Sequence, residues 1–333
     1  MIRNVLPALV LLLGALSTVQ AVPGFTFRPH NQQTAEKGVN GGSRHGHGHK
    51  EWSAESGGGE HREFVQCATL SPNTQEQEME EKKFTQMLRK HRRPGHKTGE
   101  LKQIDLPIHF HIIYANDTQQ GGMLKPWQIE QQMFRLNLDF MSANIRFFIA
   151  STSYRYDPRW FNTGVGEDYD YEKAQMGSHR IGDEQTLNVY TVGWGPDRAG
   201  AYGYSHYPSN YQYDPGWDGV LLNSVTMPGG SEEGHNLGRT LVHEVGHWSG
   251  LMHTFEGYDC SGQGDYVADT PVHAGPSYYC DIPMDTCPGY EGNDPVYNFM
   301  NYADKDYCRS EFTPGQIERM RNQLKIYRNV EDA

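Results

Sequence analysis

The sequence predicts an α/β fold: a twisted mixed sheet, two main helices packed on it, and an irregular, disulfide-stapled C-terminal subdomain. Three observations predict it. Ile104 to Tyr114 and Ile145 to Ser151 alternate apolar and polar side chains as strands do, and a helical apolar stripe from Pro126 to Met141 lies between them. Leu237, Leu241, Val245 and Trp248 recur at helical spacing and mark a second amphipathic helix. Beyond it, Cys260, Cys280, Cys287 and Cys308 crowd into a segment without regular periodicity.

In chain order, Arg3, the apolar run Val5 to Leu16 and the small-residue exit Val19-Gln20-Ala21 read as a secretory signal peptide over residues 1 to 21. No later run is long and apolar enough to be a membrane span, so the mature chain is expected to be secreted and extracellular. Residues 22 to 62, rich in Gly, Gln, Ser, Glu and His, have few side chains that form a core and read as a flexible leader. Within it His45, His47 and His49 alternate with glycine, a pattern that can bind transition metals weakly but reads first as a polar linker, because nothing fixes its geometry. Cys67 follows, then a charged helical stretch from Thr74 to Lys90 with Met79, Phe84, Met87 and Leu88, the pattern of a docking prosegment. Arg92 and Arg93, in RKHRRPG, are the expected cut for an activating peptidase, which makes residues 22 to 93 a propeptide and 94 to 333 the main domain. That domain carries 17 basic and 32 acidic side chains, a balance that argues against nucleic acid and anionic membranes as partners.

Within the domain, Pro126 suits a first helical position, where its missing N–H costs nothing. The parallel strands it separates imply a crossover unit. Thr186 to Val192 and Gly219 to Val225 supply further strands, and Thr313 with Gln316 forms a capping box for a last helix. Between these strands, residues 199 to 209 (AGAYGYSHYPS) suit an exposed edge to which an extended peptide can add as another strand.

The chemistry lies in HEVGHWSGLMH, residues 243 to 253. On a helix, His243 and His247 project from one face and can share a zinc ion at roughly 2.0 to 2.1 Å per nitrogen. Gly250 can take the left-handed conformation that ends the helix, so that His253 brings a third nitrogen from outside it. Three protein ligands leave the fourth position open for water, which distinguishes a catalytic site from a closed structural one. Glu244 stands one step round, placed to take a proton from that water as it attacks a peptide carbonyl and to pass it to the leaving amine.

This extended pattern resembles that of the metzincins. With NFMNY at 298 to 302, HTFEG after His253, GDYVADTP at 264 to 271 and FTPGQIERM at 312 to 320, the chain from about Leu101 to Arg328 resembles the pappalysin family of metzincin zinc peptidases. The resemblance implies that Met300 forms a methionine turn beneath the metal and that Tyr302 helps stabilise the developing oxyanion. The four clustered cysteines permit three connectivities by spacing alone. The resemblance implies Cys260 with Cys287 and Cys280 with Cys308. It also implies calcium, with Asp265, Asp269 and Thr270 as ligands, where the residues alone favour a solvated turn. Asn116, in Asn-Asp-Thr, is a glycosylation acceptor in a eukaryotic producer.

Cys67, the odd cysteine, is expected to be a latency switch whose thiolate fills the fourth zinc position until the prosegment is cut away. The combined reading is a secreted zinc-dependent endopeptidase acting on protein or peptide substrates and made as a zymogen. The alternative is a zinc-stabilised secreted binding module without turnover, and the intact Glu244 argues against it.

Overall fold

The computed structural model describes residues 65–69, 74–91, 101–163, 168–194 and 201–331. The signal peptide, the histidine-glycine leader and the Arg92-Arg93 cut lie outside the described residues.

The elements run β1 (Val65–Cys67), α1 (Thr74–His91), β2 (Ile104–Tyr114), α2 (Pro126–Asp139), β3 (Ile145–Tyr156), α3 (Pro158–Asn162), α4 (Tyr169–His179), β4 (Leu187–Val192), β5 (Ala201–Ser205), β6 (Val220–Asn223), α5 (Arg239–Trp248) and α6 (Pro314–Tyr327). Six strands form one sheet in the order β1-β5-β6-β4-β2-β3, parallel throughout except for the antiparallel pair β5–β6. Parallel neighbours cannot be joined by a tight hairpin, so α2 carries the chain from β2 back to the start of β3. Pro126 opens α2, and Asn144, left-handed at φ 52°, turns the chain into β3. β3 is longer than its sequence pattern because its distal half is exposed and carries no apolar alternation.

Both faces of the sheet are covered, as a mostly parallel sheet requires. Ile104, Leu106, Ile108, Phe110 and Ile112 of β2 face α2 and α5 and join Ile129, Met133, Leu136, Leu241, Val245 and Trp248 in the main core. The opposite face buries Trp160, Phe161, Met176, Tyr190, Val192 and Leu221. The predicted capping box opens α6: Gln316 N–H donates to Thr313 Oγ1 at 3.1 Å, and Thr313 N–H donates to Gln316 Oε1 at 3.0 Å. Just past α6, the Arg328 guanidinium reaches back to Trp248 O (3.1 Å) and to both Asp218 oxygens (3.1 and 2.9 Å), fastening the chain end to α5.

Between α5 and α6 the chain is irregular and is held by Cys260–Cys287 and Cys280–Cys308, the pairing the resemblance implied. Asn116 is exposed in a turn in which Thr118 N–H and Oγ1–H both donate to its Oδ1. Among the described residues, no helix is long and apolar enough to cross a membrane.

His111 is a titratable group buried inside this scaffold. It is stacked on Tyr190, donates from Nε2 to Asn188 Oδ1 at 3.0 Å, and meets Ser153 Oγ at Nδ1. Burial, with a smaller contribution from His109 and His179, lowers its pKa to about 4, so the fold holds it neutral. Protonation then favours the unfolded chain, where the value is about 6.5. This stability is fully present above pH 6.5 and is lost as the pH falls through about 4. Between pH 7 and pH 5 the loss is on the order of 2 kcal/mol. Urea midpoints should fall accordingly, and His111→Gln should flatten that slope; an unchanged slope would remove His111 from the account.

Candidate metal centre and active site

Helix α5 starts at Gly238, which is left-handed at φ 88° and carries no side chain to cap the free N–H groups. Asp306 supplies the cap from the far end of the chain. Its Oδ2 accepts from Leu237 N–H (2.9 Å) and Arg239 N–H (3.3 Å), which places a carboxylate at the positive helix end. The helix stops where Gly250 turns left-handed at φ 98°. The chain then folds back and delivers His253 against the two helical histidines.

The three Nε2 atoms lie 3.2 to 3.3 Å apart. His243 Nδ1 donates to Phe299 O at 2.7 Å and His247 Nδ1 to Leu251 O at 2.8 Å, which fixes the tautomer and leaves both Nε2 lone pairs facing the centre. Burial, first of all, lowers the pKa of all three rings, so they are held neutral as metal ligands must be. Three acceptor nitrogens cannot hydrogen-bond one another. They fit a tetrahedral cation at about 2.05 Å, for which the nitrogens stand roughly 3.3 Å apart.

Cys67 Sγ sits 3.5 Å from His247 Nε2, close to the roughly 3.6 Å expected between sulfur and nitrogen on one tetrahedral zinc. Cys67, His243, His247 and His253 present ligand atoms all within 4.8 Å of one another, and no other such cluster occurs among the described residues. The sequence left Cys67 without any spacing to check; the pairing of β1 with β5 is what brings it here.

Glu244 is fully buried beside the cluster but outside it. Its Oε2 accepts from Thr69 Oγ1 at 3.1 Å and from Cys67 Sγ at 3.6 Å, while Oε1 has no hydrogen-bond partner among the described residues. Burial pushes its pKa up to about 8. Glu244 can lie there because residue 203 has no side chain: a Cβ on Gly203 would come 2.5 Å from both Glu244 Cγ and Oε1.

Beneath the histidines, Met300 packs against α5 at Gly246, where any Cβ would collide with its sulfur. The turn that carries it also holds His253, since Thr254 N–H donates to Met300 O at 3.2 Å. The Tyr302 ring lies 5.1 Å from that of His253, and its hydroxyl donates to Cys67 O at 3.2 Å.

The 199 to 209 segment was expected to be an exposed edge, and the structure corrects this. β5 is covered on its outer side by β1, with Ala68 N–H donating to Gly203 O at 2.9 Å. Gln66 closes the other rim: its amide pairs with both Ala303 N–H (3.0 Å) and Ala303 O (2.8 Å). The chain's own N-terminal segment therefore occupies the groove between β5 and the Met300 turn.

Calcium at Asp265, Asp269 and Thr270 gains no support: Asp265 interacts with Thr270, and Asp269 is engaged elsewhere. Asp269 commits one oxygen to Thr313 Oγ1 (2.7 Å) and the other to Gly315 N–H (2.9 Å), capping α6. Asp265 is buried, accepts from Val267 N–H at 3.0 Å, and has its pKa raised to about 7 by that burial, while Thr270 N–H serves a turn with Val267 O.

Comparison with known proteins gives this geometry a family. A family model described as pregnancy-associated plasma protein-A matches residues 170–325. An extracellular metalloprotease of Colletotrichum graminicola is 35% identical over 265 residues, covering 79% of this chain and 91% of that protein. One from Verticillium alfalfae is 40% identical over 229 residues, 68% of this chain and 77% of that protein. Among solved structures, mature mirolysin of Tannerella forsythia in complex with a cleaved peptide matches with a TM-score of 0.56 at 25% identity, over 69% of this chain and 97% of that one. A promirolysin mutant from the same organism shares the fold with a TM-score of 0.63 at 22% identity, over 78% of this chain and 94% of that one. With the relatives' coverage added to the histidine centre, the chain belongs to the pappalysin family of metzincin zinc metallopeptidases.

Proposed function

We propose that the chain is a secreted zinc endopeptidase that cleaves proteins or peptides, made as a latent zymogen whose propeptide, residues 22 to 93, is removed by an activating peptidase. The observation that carries this reading is the convergence of three neutral imidazoles on one point with a buried carboxylate beside it. The relatives named extracellular metalloproteases support export. The promirolysin match covers 78% of this chain and the mature mirolysin match 69%, a difference in the direction a prosegment produces.

His243, His247 and His253 would hold a zinc ion, which when bound would supply the Lewis acidity that polarises a carbonyl and activates water. The remaining work belongs to the chain. Glu244, its pKa raised by burial alone and its carboxylate form restored by a cation held on the histidines, takes the proton from the attacking water and gives it to the leaving amine. Tyr302, whose hydroxyl already donates to a backbone carbonyl, donates to the oxyanion as it develops. Gly203 O and the Ala303 amide, which now bind the N-terminal segment, are the backbone groups left for an extended substrate once that segment departs.

The direct test is digestion of a denatured protein by processed material with and without a chelator. Hydrolysis should stop when the metal is removed and return with stoichiometric zinc; hydrolysis that survives complete zinc removal would end this reading.

Gly203 provides a second check. Gly203→Ala must displace Glu244 or push β5 outward, and a misplacement of about 1 Å costs about 10²-fold in rate. Turnover should fall by that order while zinc content and helical circular dichroism stay at wild-type values. Wild-type turnover in the variant would mean that the close approach has no catalytic consequence.

A further inference from the structure

Helix α1 docks beside the segment that carries the zinc ligands, on Gly250, Met252 and Glu256, without touching the ligand atoms, and it does so through a specific set of contacts. Gln77, Glu81 and Phe84 are spaced by four and three residues and share one helix face. Glu81 takes both terminal nitrogens of Arg319 in a fork, NH1 to Oε1 at 3.0 Å and NH2 to Oε2 at 2.8 Å, with the two side chains only 7% and 19% exposed. Phe84, buried, stacks on Tyr327 at 6.1 Å, and the Arg319 guanidinium lies 5.5 Å from its ring centre. Gln77 Nε2 donates to Glu256 Oε1 at 2.7 Å.

Arg319 is not oriented by α1 alone. Its Nε donates to Gly250 O at 3.1 Å, so the glycine of the zinc motif holds the guanidinium and aims its fork outward. A planar fork fixed in this way is matched by a carboxylate, and a largely buried guanidinium left without one is costly. The surrounding wall is mixed: Tyr207, Asn210, Met252, Gln323 and Tyr327 line a pocket beside the docked helix.

We infer that the groove formed by α6, Gly250 and the 207–210 turn is a recognition site for an acidic–aromatic helical segment. α1 fills it in the intact chain, and a protein substrate presenting a carboxylate and an aromatic ring one turn apart occupies it once α1 has left. The second half rests on the zymogen reading. The site uses none of the groups that perform hydrolysis, so it selects substrates by a segment other than the residues at the bond to be cut.

The test begins with the full-length chain carrying Glu81→Gln and Phe84→Ala. Hydrogen exchange should show residues 74 to 91 loosened, and a labelled peptide of wild-type residues 74 to 91 should bind this chain at least tenfold more tightly than the wild-type chain, whose groove is filled. Glu81→Gln in the peptide and Arg319→Gln in the acceptor should each weaken binding about tenfold, with no further loss when combined. Should Arg319→Gln fail to fold, the peptide variants Glu81→Gln and Phe84→Ala carry the comparison alone. A helix that stays docked in the double variant, or a loosened chain that does not bind the peptide, would overturn the site.

With processed enzyme, a short substrate extended by the 74 to 91 segment should be cut with about tenfold higher kcat/KM than the unextended one. Free 74 to 91 peptide should abolish that gain without slowing the unextended substrate; slowing both equally would place the peptide in the zinc cleft and refute a separate site. Processed material without any hydrolysis would count against the peptidase reading and leave the binding result standing.

Discussion

Glu244→Ala should lower kcat/KM by about 10²- to 10⁴-fold while the protein retains one zinc per chain. The geometry separates the two properties: the ligand atoms belong to His243, His247, His253 and Cys67, and Glu244 is not among them. The substitution should not unfold the protein. Glu244 is a fully buried carboxyl with its pKa raised to about 8 by desolvation and with Oε1 unpartnered, so removing it relieves the fold of a polar atom that burial penalises. Because Oε2 accepts from Thr69 and Cys67, losing it offsets that relief, and the expected melting temperature of Glu244→Ala stays close to that of the wild type. Zinc analysis, thermal unfolding and peptide hydrolysis on the same preparation decide the matter. Equal activity in mutant and wild type would exclude Glu244 as the proton carrier, and loss of zinc along with activity would make it a structural support of the metal.

The local chemistry of this site is legible in the sequence because it depends on residues close together in the chain. His243 and His247 are held at their spacing by one helical turn, Gly250 ends that helix, and His253 follows within three residues. The crossover β2–α2–β3 is legible for the same reason, since period and capping are local. Contacts between distant segments are not. Asp306 caps α5 from nearly seventy residues away, and nothing in Tyr-Ala-Asp-Lys-Asp announces which carboxylate does so. Gly203 reads as one glycine in a glycine-aromatic strand, and only the sheet order shows that its missing side chain makes room for Glu244. The edge strand is read as open because its glycine and aromatic residues suit an edge, which says that it can pair and not with what. Its partner, β1, is three residues long and too short to leave a periodic signal. The calcium reading failed to gain support for a similar reason: Asp269 looks like a free carboxylate until α6 is brought up against it.

Cys67→Ser should raise the peptidase activity of the uncut full-length chain at least tenfold, yet leave it well below that of processed enzyme. The expectation rests on the thiol's position 3.5 Å from His247 Nε2, where its thiolate would complete a tetrahedral zinc site and leave no place for water. Serine is a much weaker zinc ligand, and each 1.4 kcal/mol withdrawn from that contact is tenfold in the population of open molecules. The ceiling follows from what remains. β1 stays paired with β5, Gln66 stays on Ala303, the Tyr302 hydroxyl stays on the carbonyl of residue 67, and Glu81 stays on Arg319. On the proposed zymogen reading, latency would thus be shared between one metal ligand and a docked segment. Adding Glu81→Gln and Phe84→Ala to Cys67→Ser should multiply the activity again, because the two sets of contacts hold the same segment at opposite ends. Hydrolysis of a short quenched peptide by chains shown intact by mass spectrometry measures this. Unchanged latency in Cys67→Ser would reduce the thiol to a buried packing residue, whereas full activity in it would show that the docked segment contributes nothing without the sulfur.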